Sequence, residues 1–130
     1  MNNGIIQLKS IHNFETTYLK LKNALENHPL IKIVAELDHS QNANKVDLPL
    51  GKTKIILFGN PLLGTPLIQA NITIAIDLPQ KFIVFEQEEN VSVAYNDPMY
   101  LKERHQIKGK DELLKKISNA LKTFAEIATQ

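Results

Sequence analysis

The sequence contains no cysteine. Disulfide bonds, thiolate catalysis, iron–sulfur clusters and cysteine-ligated zinc are therefore excluded. An excess of one sign of charge is also lacking, because 15 basic residues stand against 14 acidic ones and leave a formal net charge of +1. A chain with this balance offers no strong electrostatic attraction to nucleic acid or to an anionic membrane, so we expect neither as a partner.

Long apolar runs are missing as well. No window of the sequence approaches the apolar length of a membrane span. The first residues, MNNGIIQL, lack the basic start and the long apolar core of a secretory signal, so we expect a cytoplasmic protein. The chain has 130 residues, of which 43% are hydrophobic and 22% charged. This size and composition predict one globular domain over residues 1–130.

The stretch from Lys54 to Ala70 joins a short apolar run to a sharp turn. Ile55–Phe58 is rich in β-branched and aromatic residues and too short for a helix, so it predicts a buried strand. The strand ends at Gly59-Asn60-Pro61, where Asn60 can cap a helix and proline fits the first helical turn. Such a turn presents free backbone N–H groups to an anion or a polar ligand. The simpler interpretation is that Asn60 is only a helix cap.

Hydrophobic periodicity predicts the other elements. Strands are expected at Gly4–Leu8, at Ile31–Leu37, and as a hairpin at Lys81–Gln87 and Val91–Tyr95. In Ile31–Leu37 we expect Ile31, Ile33, Ala35 and Leu37 to share one face. Ile72–Ile76 is predicted to be an extended segment that crosses the fold and buries Ile74 and Ile76.

Helices are expected between the strands and at the end of the chain. They are predicted from Asn13 to His28-Pro29, over Pro61–Ala70 with a break at Gly64-Thr65-Pro66, over Met99–His105, and from a capping Asp111 onward. In the last helix Leu114, Ile117, Leu121, Phe124 and Ala128 form one apolar stripe. This order of elements predicts an α+β fold, with a mixed or antiparallel sheet and helices packed on one face.

Four short sequence motifs, in a fixed order, resemble those of a known family. They are Glu36-Leu37-Asp38-His39, Phe58-Gly59-Asn60-Pro61 followed by Gly64-Thr65, Asp77-Leu78-Pro79, and Tyr95-Asn96-Asp97-Pro98 followed by Arg104-His105. From about Ile5 to about Phe124 the chain resembles the bacterial and archaeal Domain of Unknown Function 302 family. The resemblance implies a small α+β domain with a curved sheet, often a homodimer, and no particular activity. The family's recurring polar positions would here be Glu36, Asp38, His39, Asn60, Asp77, Asp97 and His105.

Two histidines are the candidates for chemistry. His39 and His105, together with Glu36 or Asp38, have the donor atoms that zinc or iron accept, although their spacing matches no known metal motif. Either histidine is also a candidate general acid or base. Asp38 and His39 are adjacent, and adjacent side chains of an extended segment point to opposite faces, which weakens a direct carboxylate–imidazole pair.

Our leading hypothesis is a non-enzymatic binding or interaction domain. Polar residues at the strand ends would converge on one pocket for a small molecule or a metal ion. The pocket candidates are Glu36, Asp38, His39, Asn60, Asp77, Tyr95, Asp97 and His105. A simpler interpretation makes Asp97 a helix cap and packs Tyr95 on the sheet. The alternatives are a small enzyme that uses His39 or His105 as acid or base, and a purely structural or regulatory dimer. The residues identify neither a cofactor nor a ligand.

Overall fold

The computed structural model describes residues 3–130. Within these residues the strands form a five-stranded sheet in the order β1-β5-β4-β3-β2, and every neighbouring pair is antiparallel. The strands are β1 (Ile5–Lys9), β2 (Lys32–Asp38), β3 (Thr53–Gly59), β4 (Gln80–Gln87) and β5 (Asn90–Asn96). The predicted strands and the β4–β5 hairpin are confirmed.

In residues 3–130, five α-helices and one 3₁₀ helix connect or follow the strands. They are α1 (Phe14–Glu26), α2 (His39–Lys45), α3 (Pro61–Ala70), the 3₁₀ helix (Ile72–Asp77), α4 (Pro98–His105) and α5 (Asp111–Thr129). The side-chain oxygens of Asn13, Asn60 and Asp97 accept backbone N–H groups at the starts of α1, α3 and α4. The predicted caps at Asn60 and Asp97 are therefore confirmed.

The hydrophobic core lies between one face of the sheet and helices α1 and α5. Phe82 lies at its centre, with its ring stacked on Phe58 and edge-on to Tyr95, at 5.2 Å between centroids in both pairs. The five stripe residues predicted for α5 are all buried. The predicted α+β class, with helices packed on one face of the sheet, is confirmed.

The other face of the sheet carries apolar residues that do not belong to this core. Ile55 of β3 pairs with Ile83 of β4, while the next residues along these strands, Ile56 and Phe82, point into the core. Leu37 pairs with Ile55 and is 46% exposed. We call the surface formed by five of these residues the open face. Its members are Leu37, Ile55, Leu57, Ile83 and Phe85.

The alternation expected in the second strand is wrong. The pairing of β2 with β3 shifts between Ile33 and Ala35, because Val34 forms a bulge on the edge strand. Ile33 therefore pairs with Phe58 on the helix-covered face, while Ala35 and Leu37 lie on the opposite face. One extra residue in a strand moves every side chain that follows it to the opposite face of the sheet.

The segment from α3 through the 3₁₀ helix also differs from expectation. Helix α3 continues through Gly64-Thr65-Pro66, since proline removes only one helical hydrogen bond and the next residue, Leu67, is buried in the core. Ile72–Asp77 is a 3₁₀ helix rather than an extended crossing. Ile74 is fully buried, but Ile76 is 74% exposed, because a period of three residues does not place both on one face.

The start of α5 needs a smaller correction. Asp111 is the first helical residue and Lys110 occupies the cap position without a side-chain cap bond. Asp111 instead forms an ion pair with Lys102, at 2.7 Å between Nζ and Oδ1. Separately, we find in residues 3–130 no helix with both the length and the apolar character that crossing a bilayer requires.

Candidate functional site

The antiparallel sheet separates the predicted site residues into two groups. Strand β2 runs against β3, so Asp38 pairs with Lys54 near the start of β3, and Lys32 pairs with Gly59 at its end. Glu36, Asp38 and the following His39 consequently lie toward one end of the sheet. Asn60 lies beyond the other end. The structure does not bring all the candidates to one end of the sheet, because only parallel strands have their carboxyl ends at the same end.

Asn60, Asp77, Tyr95 and Asp97 lie at or near the same end of the sheet, but their side chains have different partners. Asn60 and Asp97 accept the backbone N–H groups of Leu62 and Met99 as helix caps. Tyr95 is buried in the core against Phe82. Asp77 instead contacts His105.

Asp77 and His105 form the tightest polar cluster at this end. His105 Nε2 donates to Asp77 Oδ2 at 2.5 Å, and His105 Nδ1 lies 2.9 Å from the Oγ1 of Thr73. Arg104 also donates to both Asp77 oxygens, at 3.0 and 3.1 Å. The His105 side chain is only 5% exposed. Its two ring nitrogens are both engaged in holding the end of α4 to the 3₁₀ helix, so the geometry favours an anchoring role for this histidine.

His39 and His105 do not meet. His39 is the first residue of α2, beside its cap Asp38, at the other end of the sheet from the 3₁₀ helix that contacts His105. Asp38 Oδ1 accepts from the backbone N–H of Gln41 at 3.0 Å and from the hydroxyl of Ser40 at 2.5 Å. In the part of the chain that the structure describes, no three His, Asp or Glu side chains are grouped as ligands for a metal ion. His39 and His105 therefore do not lie together as ligands of one metal ion.

Glu36 belongs to a separate network on the helix-covered face of β2. The Tyr18 hydroxyl donates to Glu36 Oε1 at 2.5 Å, and Lys22 Nζ lies 3.0 Å from Glu36 Oε2. Lys54 Nζ lies 4.6 Å from the centre of the Tyr18 ring. Burial and the hydrogen bond to Glu36 raise the pKa of Tyr18 above its ordinary value. The hydrogen bond from Tyr18 is in turn the main cause that lowers the pKa of Glu36. The sequence pattern did not single out Tyr18, because it appears only as one member of the apolar stripe of α1.

The network of Tyr18 and Glu36 predicts that the free energy of unfolding falls at alkaline pH. A tyrosine whose pKa is raised by folding stabilises the protein fully below its unfolded pKa of about 10, and that contribution is lost as the pH rises above it. Tyr18→Phe should cost about 1.5–3 kcal/mol of unfolding free energy at neutral pH, because it removes a hydrogen bond to a carboxylate. The difference between wild type and Tyr18→Phe, measured by urea unfolding, should stay constant from about pH 6 to 9 and shrink above about pH 10. A difference that grows above pH 10 would contradict this assignment.

An apolar pocket of about 460 Å³ lies near one group of the candidates. It lies between the start of β2, the end of β3, α3, the 3₁₀ helix and α5. Buried side chains of β3 and α5 form its inner part, namely Phe58, Leu121 and Phe124. Residues of α3 and of the segment before β4 form the rest of its apolar wall, including Leu63, Ile68 and Leu78. Of the predicted site residues, only Asn60 lines it.

A few polar groups line the same pocket. His28 Nδ1 accepts from the backbone N–H of Leu30 at 3.2 Å, so the neutral ring carries its proton on Nε2. The Oδ1 of Asn60 accepts in the α3 cap, which leaves its Nδ2 as a donor. Lys32, Thr65 and Gln80 are the other polar residues among those that line the pocket. Sequence reasoning missed His28 and Gln80, because only the tertiary fold brings the end of α1 beside the start of β4.

The model of the family described as "Domain of unknown function DUF302" matches residues 6–124. The chain belongs to the DUF302 family. A crystal structure of an uncharacterized conserved DUF302 protein from Bacillus stearothermophilus superposes with a TM-score of 0.86, covering 98% of this chain and 99% of that one at 13% identity. This match shows that the two proteins share the DUF302 fold.

Sequence relatives of this DUF302 chain occur in longer proteins. The chain is 30% identical over 108 residues to the "Fluoride-specific ion channel FluC 1" of Brucella suis biovar 1 and of Brucella abortus biovar 1. The matches cover 82% of this chain but only 42% and 40% of those proteins. The DUF302 chain therefore spans about two fifths of the length of these relatives.

Proposed function

We propose that this DUF302 domain binds a small, largely apolar molecule in the pocket between β2, β3, α3, the 3₁₀ helix and α5. The pocket itself carries the proposal, because its volume of about 460 Å³ falls within the range of about 300–1,000 Å³ typical of small-molecule sites. Its wall combines apolar side chains with a few polar groups, which is the usual composition of such a site. This retains the predicted binding role but places it among residues that the sequence pattern had assigned to the core.

Filling the pocket should abolish binding. Ala120 of α5 is partly buried and lines the pocket, so Ala120→Phe would put a ring into the space that we assign to the ligand. The matched control is Asn119→Phe, which adds the same ring at the neighbouring exposed position. A ligand present at about 100 times its Kd should stabilise wild type and Asn119→Phe by roughly 2.7 kcal/mol and leave Ala120→Phe unchanged. The measurement is thermal unfolding with a library of apolar metabolites, followed by calorimetry on the hits. Equal binding to both variants would refute the pocket.

We also propose that the domain forms a homodimer through its open face. Support comes from a cross-strand row in which Leu37 pairs with Ile55, Ile55 with Ile83, and Ile83 with Ala94, without a charged side chain in the row. Leu37 is exposed, Ile55 and Ile83 are partly exposed and Ala94 is buried in the single chain. An uncharged row on a sheet face that no helix covers fits an interface, where charge is depleted. A second copy presents the same row, so the surface is self-complementary under two-fold symmetry.

The Brucella relatives are named as fluoride-specific ion channels, but the pocket of this domain does not fit fluoride as its ligand. Fluoride is a small, strongly hydrated anion, and moving a bare charge into an apolar site is very costly. A wall built of Phe58, Leu63, Leu121 and similar residues offers little compensation. We infer that the DUF302 domain binds an apolar molecule rather than fluoride.

The enzyme alternative has less support from the geometry. A general base at His105 would have to give up contacts that both of its ring nitrogens make with Asp77 and Thr73. His39 lies beside a carboxylate that already caps α2, and that carboxylate is bonded to Ser40 and Gln41. Acid–base catalysis at either histidine stays a prediction, without a substrate pocket assigned to it.

A further inference from the structure

We propose that Thr73, His105 and Asp77 act together as a hydroxyl nucleophile, its general base and an orienting carboxylate, and that they hydrolyse a small ester. This inference goes beyond the proposed binding function and does not rest on it. The three side chains are joined in series. The Oγ1 of Thr73 lies 2.9 Å from His105 Nδ1, and Asp77 Oδ2 lies 2.5 Å from His105 Nε2. A nucleophile bonded to a base that a third group orients is the geometry that defines such a triad.

The bond to Asp77 determines which ring nitrogen of His105 can act as the base. An ionised carboxylate only accepts hydrogen bonds, so His105 donates to it through Nε2. The neutral ring then has its acceptor lone pair on Nδ1, the nitrogen beside the Thr73 hydroxyl. Asn71 Oδ1, at 3.0 Å, is a second acceptor for this hydroxyl, but only the imidazole is a base that can take its proton. Arg104 bonds both oxygens of Asp77, which is therefore a positioning residue that acts through His105.

Thr73 is accessible from solvent, whereas its base is shielded. Thr73 is exposed, while the His105 side chain is only 5% exposed. A base that acts on an outside molecule would have to leave Thr73, but a base that acts on Thr73 itself keeps both of its contacts. Ile72 and Ile76 are 71% and 74% exposed on the same 3₁₀ helix, and Ile76 lies one turn of three residues after Thr73. These neighbours favour an ester with an apolar acyl group.

Ester hydrolysis at this triad takes two steps. The Thr73 oxygen bonds to the carbonyl carbon while His105 Nδ1 takes the hydroxyl proton. The bond from that carbon to the alcohol oxygen then breaks, and the alcohol leaves with the proton from His105. In the second step water bonds to the acyl carbon and gives a proton to His105, which returns it to the Thr73 oxygen as the acid leaves. One ester and one water thus give one acid and one alcohol.

An alkyl fluorophosphonate tests the nucleophile, because it leaves a stable adduct. The Thr73 oxygen would bond to phosphorus as fluoride leaves, and peptide mass spectrometry at neutral pH measures the rate at each hydroxyl. Thr123 is the control within the same sample, since it is also exposed but its hydroxyl donates to the backbone carbonyl of Asn119. We expect Thr73 to react roughly 100-fold faster than Thr123 or more, which is the usual contribution of a general base.

His105→Gln separates the base from the structural anchor. Glutamine can still donate to Asp77 but is not a base, so the rate at Thr73 should fall to that of Thr123 while urea unfolding shows a folded protein. Thr73→Ser should stay reactive at this position and hydrolyse p-nitrophenyl butyrate, whereas Thr73→Ala should do neither.

Two results would overturn the triad. One is equal labelling of Thr73 and Thr123 in the wild type, a comparison that needs no variant and decides the question even if His105→Gln does not fold. The other is a folded His105→Gln in which Thr73 reacts as fast as in the wild type, because the hydroxyl would then react through its exposure alone. Neither result bears on ligand binding in the apolar pocket, which Ala120→Phe tests separately.

Discussion

Replacing Ile83 with lysine is expected to convert the homodimer that we propose into a monomer. Ile83 lies in the central row of the open face, paired with Ile55 on one side and Ala94 on the other. Burying an unpaired lysine at the centre of an interface costs several kcal/mol, which is enough to shift a typical dimer to monomer at micromolar concentration. The monomer itself should tolerate the change, because a lysine on an uncovered sheet face keeps its ammonium in water. The measurement is mass by light scattering after size-exclusion chromatography, together with sedimentation equilibrium.

The control for this variant is Ile76→Lys. Ile76 is 74% exposed on the 3₁₀ helix and is not part of the open face, so the same substitution there should leave the dimer mass unchanged. A wild-type chain with the mass of one copy at high concentration would refute the dimer. If Ile83→Lys retains the dimer mass, the interface lies elsewhere. Circular dichroism of both variants checks that a loss of mass does not come from unfolding.

The same open face shows which part of the fold could be predicted from the sequence. Local patterns predicted the hairpin, the caps at Asn60 and Asp97 and the apolar stripe of α5, because each depends on residues a few positions apart. The bulge at Val34 was not predictable in this way, since it exists only where β2 is paired with β3. The bulge places Leu37 on the open face and Glu36 beside Tyr18. A feature that depends on strand pairing therefore determines on which face of the sheet each of these two side chains lies.

The candidate site was less predictable than the fold, for a related reason. Glu36 and Asn60 would lie at the same end of the sheet only if β2 and β3 were parallel. The relative direction of two strands is set by how they pair and not by their composition. The pocket is also hard to find in a sequence. Leu121 and Phe124 have the spacing of ordinary core residues. Only the folded arrangement, in which α5, α3 and the 3₁₀ helix line the same pocket, shows that a cavity remains beside them.

Removing the carboxylate of Asp77 is expected to have the largest effect on stability of any polar substitution discussed. Asp77→Ala leaves the Nε2 of His105 without its acceptor inside a site where that ring is only 5% exposed. Loss of a hydrogen bond to a charged group costs about 1.5–3 kcal/mol, and total stabilities are only about 5–15 kcal/mol. We expect a loss near the upper end of that range in urea unfolding at neutral pH. Asp77→Asn keeps one oxygen acceptor and should lose less.

Arg104 provides the comparison that separates the buried bond from the surface ion pair. It contacts the same carboxylate, but its side chain is 52% exposed, so Arg104→Gln should cost at most about 1 kcal/mol. Equal losses for Asp77→Ala and Arg104→Gln would mean that the bond to His105 contributes nothing beyond the exposed pair. A ranking with Asp77→Ala first, Asp77→Asn second and Arg104→Gln last would support the anchor.

This anchor should also affect the pocket, because the 3₁₀ helix is shared between them. Asp77 and Thr73 hold the helix to His105 of α4, while Ala75 of the same helix and the adjacent Leu78 line the pocket. A helix released from α4 no longer holds that wall in place, so the folded Asp77→Ala protein should bind an apolar ligand of the pocket more weakly than wild type does. Arg104→Gln should bind it as wild type does. Calorimetry at a temperature where both variants are folded measures this, and unchanged binding by Asp77→Ala would show that the wall holds its position without the buried bond.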